Sequence, residues 1–213
     1  MIDYKNTSLA NQVFAAIEKN ILTGVYSKGE VISEPKLSAE LGVSRTPVRE
    51  ALTRLEAERL IKQTPNGMQI VGISEKDVDE MYAVKRSIEP YVTELAVGNI
   101  SPEGLARMKE ILDQQEFYVT KGNAEKIKDL DTEFHDTIYR ESDSPTLESV
   151  LSPLHHKLMK HRKVSLQFSN RSTQSVDEHK KIYEAMAAGD AKTAKELMLE
   201  HVNNAYRNIK GGI

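Results

Sequence analysis

With 213 residues, the chain can bury one large core or two modest ones without covalent staples, and the absence of cysteine excludes disulfides. The net charge of −3 is unevenly spread: residues 1–73 carry 9 Lys/Arg against 8 Asp/Glu, the rest 20 against 24, and all six His lie in that second part. No apolar leader opens the chain and no stretch reaches the roughly 18 uncharged apolar residues of a membrane span, so a cytoplasmic protein with no membrane partner is expected.

Pro and Gly punctuate the first third, whereas long 3.6-period segments follow Ser74, which predicts two domains, 1–73 and 74–213. Ser8 to Thr23 places Leu9, Val13, Ala16, Ile17 and Ile21 on one face and reads as a helix closed by Gly24. A turn at Ser27-Lys28-Gly29 leads to a short helix with Ser33 as N-cap, ending at Leu41 with Gly42 beyond it. A second short helix starts at Ser44, burying Val48, Ala51, Leu52 and Leu55 and turning Arg45, Thr46, Arg49 and Thr53 elsewhere. Residues 60–64 and 68–71 flank Pro65-Asn66-Gly67, whose Asn-Gly predicts a hairpin.

Beyond the boundary the periodicity predicts six helices, at about 75–97, 102–121, 124–141, 145–168, 174–188 and 190–209. Ser74 with Asp77, Ser101-Pro102, Ser144-Pro145 and Gly189-Asp190 mark their ends. Short loops between them predict an antiparallel bundle. The expected fold is therefore mainly α: a winged helix-turn-helix with a small β-hairpin wing, then a six-helix bundle. No internal repeat or low-complexity tract interrupts it.

Arg45 and Arg49 sit one helical turn apart on an exposed face beside Thr46, a donor set suited to guanine edges and phosphates in a major groove. Ser44 is expected to cap the helix where its N-terminus meets a phosphate. Two arginines alone read as solvated charges paired with Glu50 or another carboxylate; two short helices, a glycine turn, a cap and a wing in sequence favour double-stranded DNA. The stretch SEPKLSAELGVSRTPVREALTRLEAERLI, residues 33–61, closely resembles the GntR family of transcription regulators, and the resemblance runs through the wing to about residue 72. It implies Arg45, Thr46 and Arg49 as recognition-helix contacts and Gly67 as the wing residue. Pro35 stands where some relatives carry a DNA-contacting arginine, which leaves Lys36 as a phosphate contact.

In the second part, Asp131 and His135 flank the stripe Ile127, Leu130, Phe134, Ile138; His179 falls in Val176, His179, Tyr183, Met186; and His201 falls in Ala194, Leu197, His201, Ala205. A single inward His is usually a hydrogen-bonded core residue. Four inward polar groups on three helices would be costly without partners, and one divalent cation satisfies them together. VKRSIEP around Arg86, DTEFH at 131–135, the run SVDEHKKIYEAMAAGD and His201 resemble the FCD domain, the effector-binding half of one GntR subfamily, in its six-helix form. That resemblance implies Asp131, His135, His179 and His201 as ligands of Zn, Ni, Co, Mn or Fe. It also implies Arg86 as anchor of a small carboxylate effector at the open coordination positions. Arg162, Tyr139 and Tyr183 are further candidates for the cavity wall. His155, His156 and His161, on one helix, are expected on a solvated face, and Glu178 is expected to point outward.

The resemblance implies a ligand-responsive regulator and, as the family's commoner pattern, a repressor released by its effector; one reading helix covers only a few base pairs, so a homodimer on an inverted repeat is expected. Three His and an Asp around an ion also describe hydrolytic sites, and a purely structural metal would make a constitutive DNA-binding protein.

Overall fold

The computed structural model describes residues 8–161 and 169–211, with only the backbone of 160–161 and 169–170. These residues form two units that divide between Asp77 and Val78. Among them, no helix is long and apolar enough to cross a membrane.

The first unit runs α1 (Leu9–Leu22), β1 (Val31–Ile32), α2 (Glu34–Leu41), α3 (Arg45–Ala57), β2 (Ile61–Thr64) and β3 (Gly67–Ile70). Ser8 and Ser33 cap their helices through side-chain oxygens that accept from Asn11 and Lys36 N–H, and Gly42 leaves α2 at φ 66°, where a side chain would be strained. Ile17, Leu37, Val48, Ala51, Leu55, Leu60 and Ile61 are essentially inaccessible and knit the three helices to the strands.

The wing departs from expectation in two ways. A third strand, β1, pairs antiparallel with β3, giving the order β1-β3-β2. Two residues are too short to display alternation, but Ile32 is fully buried against that core. The hairpin loop is Pro65-Asn66, because Thr64 and Gly67 already face each other as the last ladder pair. Gly67 is the first residue of β3, at φ 124°, and a Cβ there would come within 3.1 Å of Ile32 O and Val31 Cγ1. It is glycine because β1 passes so close.

The second unit contains α4 (Glu75–Asn99, its first turn belonging to the other side of the division), α5 (Pro102–Thr120), α6 (Ala124–Glu141), α7 (Pro145–His161), α8 (Ser169–Ala187) and α9 (Ala191–Gly211). Their caps follow the sequence. Ser74 and Asp77 exchange hydrogen bonds at the head of α4, Ser101 accepts from Gly104 N–H, and Asp190 accepts from Thr193 N–H. Helix α8 is described from Ser169, five residues before the start that periodicity suggests, and so includes Arg171, which is buried. Helix α5 packs on α6 and α8, α6 also on α7, and α8 on α9.

Candidate metal centre and nucleic-acid interface

On the first unit, Ser44, Arg45, Thr46 and Arg49 are all exposed at the start of α3, and Lys36 is exposed on α2. Arg49 donates from Nε and Nη2 to the two carboxylate oxygens of Glu34, at 3.0 and 2.9 Å, and Lys36 Nζ lies 3.2 Å from Glu30. Such exposed pairs contribute about 0–1 kcal/mol, so phosphates and base edges can displace the carboxylates. Ser44 holds the N-cap position without a side-chain cap bond, contrary to the expectation of a capping hydroxyl. The third residue of α3 is Pro47, which has no N–H to give.

Inside the second unit, α6 carries Asp131 and His135, α8 carries His179 and α9 carries His201, all buried. One ring nitrogen from each of the three imidazoles falls within 4.8 Å of those of the others. Their Nδ1 atoms are each committed elsewhere: His135 to Glu89 Oε1 at 2.6 Å, His179 to Gln115 Oε1 at 3.1 Å, and His201 to Glu178 Oε2 at 2.7 Å. Each partner oxygen is an acceptor, so each Nδ1 carries the hydrogen and each Nε2 presents a lone pair. Asp131 Oδ1 lies 3.7 Å from His179 Nε2. Asp131 Oδ2, His135 Nε2 and His179 Nε2 are buried without hydrogen-bond partners. Orphaned acceptors converging in a core, each imidazole oriented from behind, fit a divalent transition ion.

A second group, Glu89 with His135 and His155, also brings ligand atoms together, but a cation already occupies it. Lys85 Nζ lies 2.9 Å from Glu89 Oε2, 2.8 Å from His155 Nδ1 and 3.3 Å from Tyr139 Oη. An ammonium can only donate, so His155 Nδ1 accepts and its hydrogen sits on Nε2. His155 is wired opposite to the other three, as a donor, with Nε2 3.5 Å from Asp131 Oδ2.

The electrostatics agree with that wiring. Burial and the Lys85 charge push His155 down to about 3, and burial holds His179 and His201 below the ordinary imidazole value. Burial opposes ionisation of Glu89 and Asp131, yet Lys85 and His135 around the first, and His155 and His135 around the second, hold both carboxyls well down. Glu178 is likewise drawn to about 2, against its burial, by His201 and Arg171.

Several sequence expectations are corrected here. His155 is buried in the cluster, not solvated, with the buried Leu151 and Leu158 one turn to either side of it on α7; of the two described histidine side chains of α7, His156, half-buried and 2.6 Å from Asp136, resembles the expected outer face. His161 and Arg162 lie outside the residues whose side chains are described. Glu178 turns inward, bonded to Arg171 through both oxygens at 2.8 Å and to Asn204 Nδ2 at 2.8 Å. Arg86 stacks 4.6 Å over the Tyr206 ring and does not line the cavity beside the cluster, whereas Lys85, one residue earlier, does. The spacing Tyr82, Lys85, Glu89, Val92, Ala96 is the buried face of α4 and could have revealed this register. Tyr139 is buried in the network, and Tyr183 is only partly covered, the α8 stripe running instead through Ile182.

A family model described as "FCD domain" matches residues 80–204, and one described as "Bacterial regulatory proteins, gntR family" matches residues 9–67. The HTH-type transcriptional regulator YdhC of Bacillus subtilis, itself uncharacterized, is 28% identical over 97% of this chain and 93% of its own length. The gluconate operon transcriptional repressor of the same organism is 26% identical over 91% of this chain and 80% of that protein. Among solved structures, Escherichia coli McbR/YncC superposes with a TM-score of 0.78 at 23% identity, covering 98% of this chain and 100% of that one, which shows a common fold.

Proposed function

The chain belongs to the GntR family, whose members are DNA-binding transcription regulators and not enzymes, with an FCD domain as its C-terminal unit; from that premise we infer that it is a metal-dependent sensor controlling its own affinity for operator DNA. The observation that carries this reading is the convergence of unpartnered acceptors from Asp131, His135 and His179, beside His201, in the interior of the helical bundle. Asp131, His135, His179 and His201 hold a divalent transition ion, with Glu89, Gln115 and Glu178 fixing the imidazoles. The bound ion supplies open Lewis-acid positions for a carboxylate oxygen. Arg45, Thr46 and Arg49 read base edges, Lys36 and Ser44 meet phosphates, and Gly67 lets the wing run close to β1.

One recognition helix covers only a few base pairs, so the active form is a homodimer on an inverted repeat. Effector binding changes the placement of the two heads; losing simultaneous engagement forfeits most of the affinity, which makes the protein a repressor released by its effector. Arg86, stacked on Tyr206, acts at most at the outer edge of the effector path. An electrophoretic mobility shift on the DNA upstream of the gene tests the reading: a two-fold footprint lost on adding a small organic acid to metal-replete protein is expected. Undiminished operator binding with every acid, or a monomer by light scattering bound one per site, overturns it.

A further inference from the structure

The cavity beside the four imidazoles is about 10 Å³, room for one water-sized group. Lys85, Asp131, His135, His155 and His201 form its polar end, and Leu158, Met159, Val202 and Ala205 form most of the rest. A carboxylate and tail can enter only if that apolar side repacks. Met159, unbranched and adaptable, permits it on a small scale.

The charges around this cavity can be counted. Among the described residues, the network holds two buried cations, Lys85 and Arg171, against the buried carboxylates Glu89 and Asp131 and the part-buried Glu178, which is paired with Arg171 through both oxygens. The nearby Asp136 is taken up by His156 and Ser152 on the part-exposed side of α6. A divalent ion on the neutral imidazoles turns that excess of one negative charge into an excess of one positive. One monoanion then leaves the interior neutral, and a dianion would leave it charged with nothing buried to pair with. His155 adds direction: its buried Nε2 hydrogen makes no hydrogen bond, Asp131 Oδ2 standing off at 3.5 Å, so an acceptor oxygen of the ligand at the cavity can take it up.

We propose that the effector of this protein is a small monocarboxylate with a short apolar tail, its carboxylate taken by the ion and by the Nε2 hydrogen of His155 and its tail by Leu158, Met159, Val202 and Ala205. This rests on the metal-sensor reading above and narrows it. Di- and tricarboxylates are excluded by charge, and long tails by volume.

Butyrate and succinate share four carbons and differ by one terminal carboxylate, which isolates the charge argument. Calorimetric titration of each, and of acetate, into full-length protein carrying one zinc per chain should show butyrate binding at least tenfold more tightly than succinate. His155→Leu should keep the zinc and weaken butyrate at least tenfold, while His155→Gln, which can accept from Lys85 and still donate into the cavity, should restore most of it. Val202→Ala, which leaves every polar group in place, should favour butyrate over acetate more than the parent does, and it keeps the tail assignment testable should His155→Leu fail to fold. Succinate binding as tightly as butyrate, with zinc in place, overturns the charge argument and leaves the metal sensor standing. An unchanged ratio of butyrate to acetate in Val202→Ala overturns the tail assignment. Failure to take up zinc overturns the metal reading and this inference together, and zinc-bearing protein that binds none of the three acids overturns the carboxylate effector altogether.

Discussion

The two units place their polar chemistry in opposite ways. In the first, Glu18 is alone among the described polar side chains counted as buried; the candidate DNA contacts stand in water, and their ion pairs are exposed. In the second, Lys85, Glu89, Asp131, Arg171 and four His lie inside the bundle. A surface reader exchanges its carboxylate partners for phosphate at little cost, whereas an interior site must satisfy every group or hold an ion that does. The first unit is therefore expected to tolerate loss of its functional side chains, and the second to be reorganised by it.

The largest effect should come from the interior. His179→Ala combined with His201→Ala should abolish stoichiometric metal and the effector response together, leaving Gln115 and Glu178 without their ring partners. Metal analysis beside an effector titration decides it; one ion per chain in the double variant would make the constellation merely a polar core. At the surface, Arg45→Ala and Arg49→Ala should each lose about 1–3 kcal/mol of specific operator binding with metal content and melting temperature unchanged. Parent-like affinity in both would remove α3 as the reading helix.

Acid should separate the units as well. Burial and Lys85 hold His155 near 3 against 6.5 in the unfolded chain, so below pH 6.5 the unfolded state takes up a proton that the folded bundle refuses. Stability present above that pH is lost as pH falls toward 3, by up to about 1.4 kcal/mol per pH unit. Thermal melts of metal-free protein should therefore fall steadily from neutral pH to about pH 5, with a shallower slope in His155→Gln. A slope identical in the two proteins would mean that His155 is not the group taking up the proton.

Legibility in the sequence divides along the same line. The DNA-reading head could be read from local signals, because caps, a glycine turn and short amphipathic helices are written within a few residues of one another. The inward aspect of Asp131, His135, His179 and His201 could be read from helical stripes, each a one-helix property. What escaped needs two helices at once: the identity of Lys85 as the buried cation, the embrace of Glu178 by Arg171, His201 and Asn204, and the entry of His155 into the cluster. Periodicity on α7 does not say which neighbour a histidine meets. Two-residue β1 escaped for a different reason, having no pattern long enough to repeat.

The smallest effect contrasts two serines of identical placement within the first unit. Ser33 and Ser44 both stand at the N-cap of a short helix with extended backbone angles, yet Ser33 Oγ accepts from Lys36 N–H at 3.4 Å and Ser44 Oγ accepts nothing from α3, whose third residue is Pro47. Replacing a working cap by Ala costs about 0.5–2 kcal/mol, and the length of the Ser33 bond puts it at the lower end. Ser33→Ala should therefore lower the denaturant midpoint measurably while sparing operator affinity in the folded protein. Ser44→Ala should leave the midpoint where it was and weaken operator binding a few-fold, because a hydroxyl that does not serve its own helix is free to donate to a phosphate. Chemical denaturation and a mobility shift on the two variants in parallel give four numbers, and the crossed pattern is the expected one. Equal stability losses in both would mean that Ser44 caps α3 after all, by reaching the second N–H of the helix instead of the third.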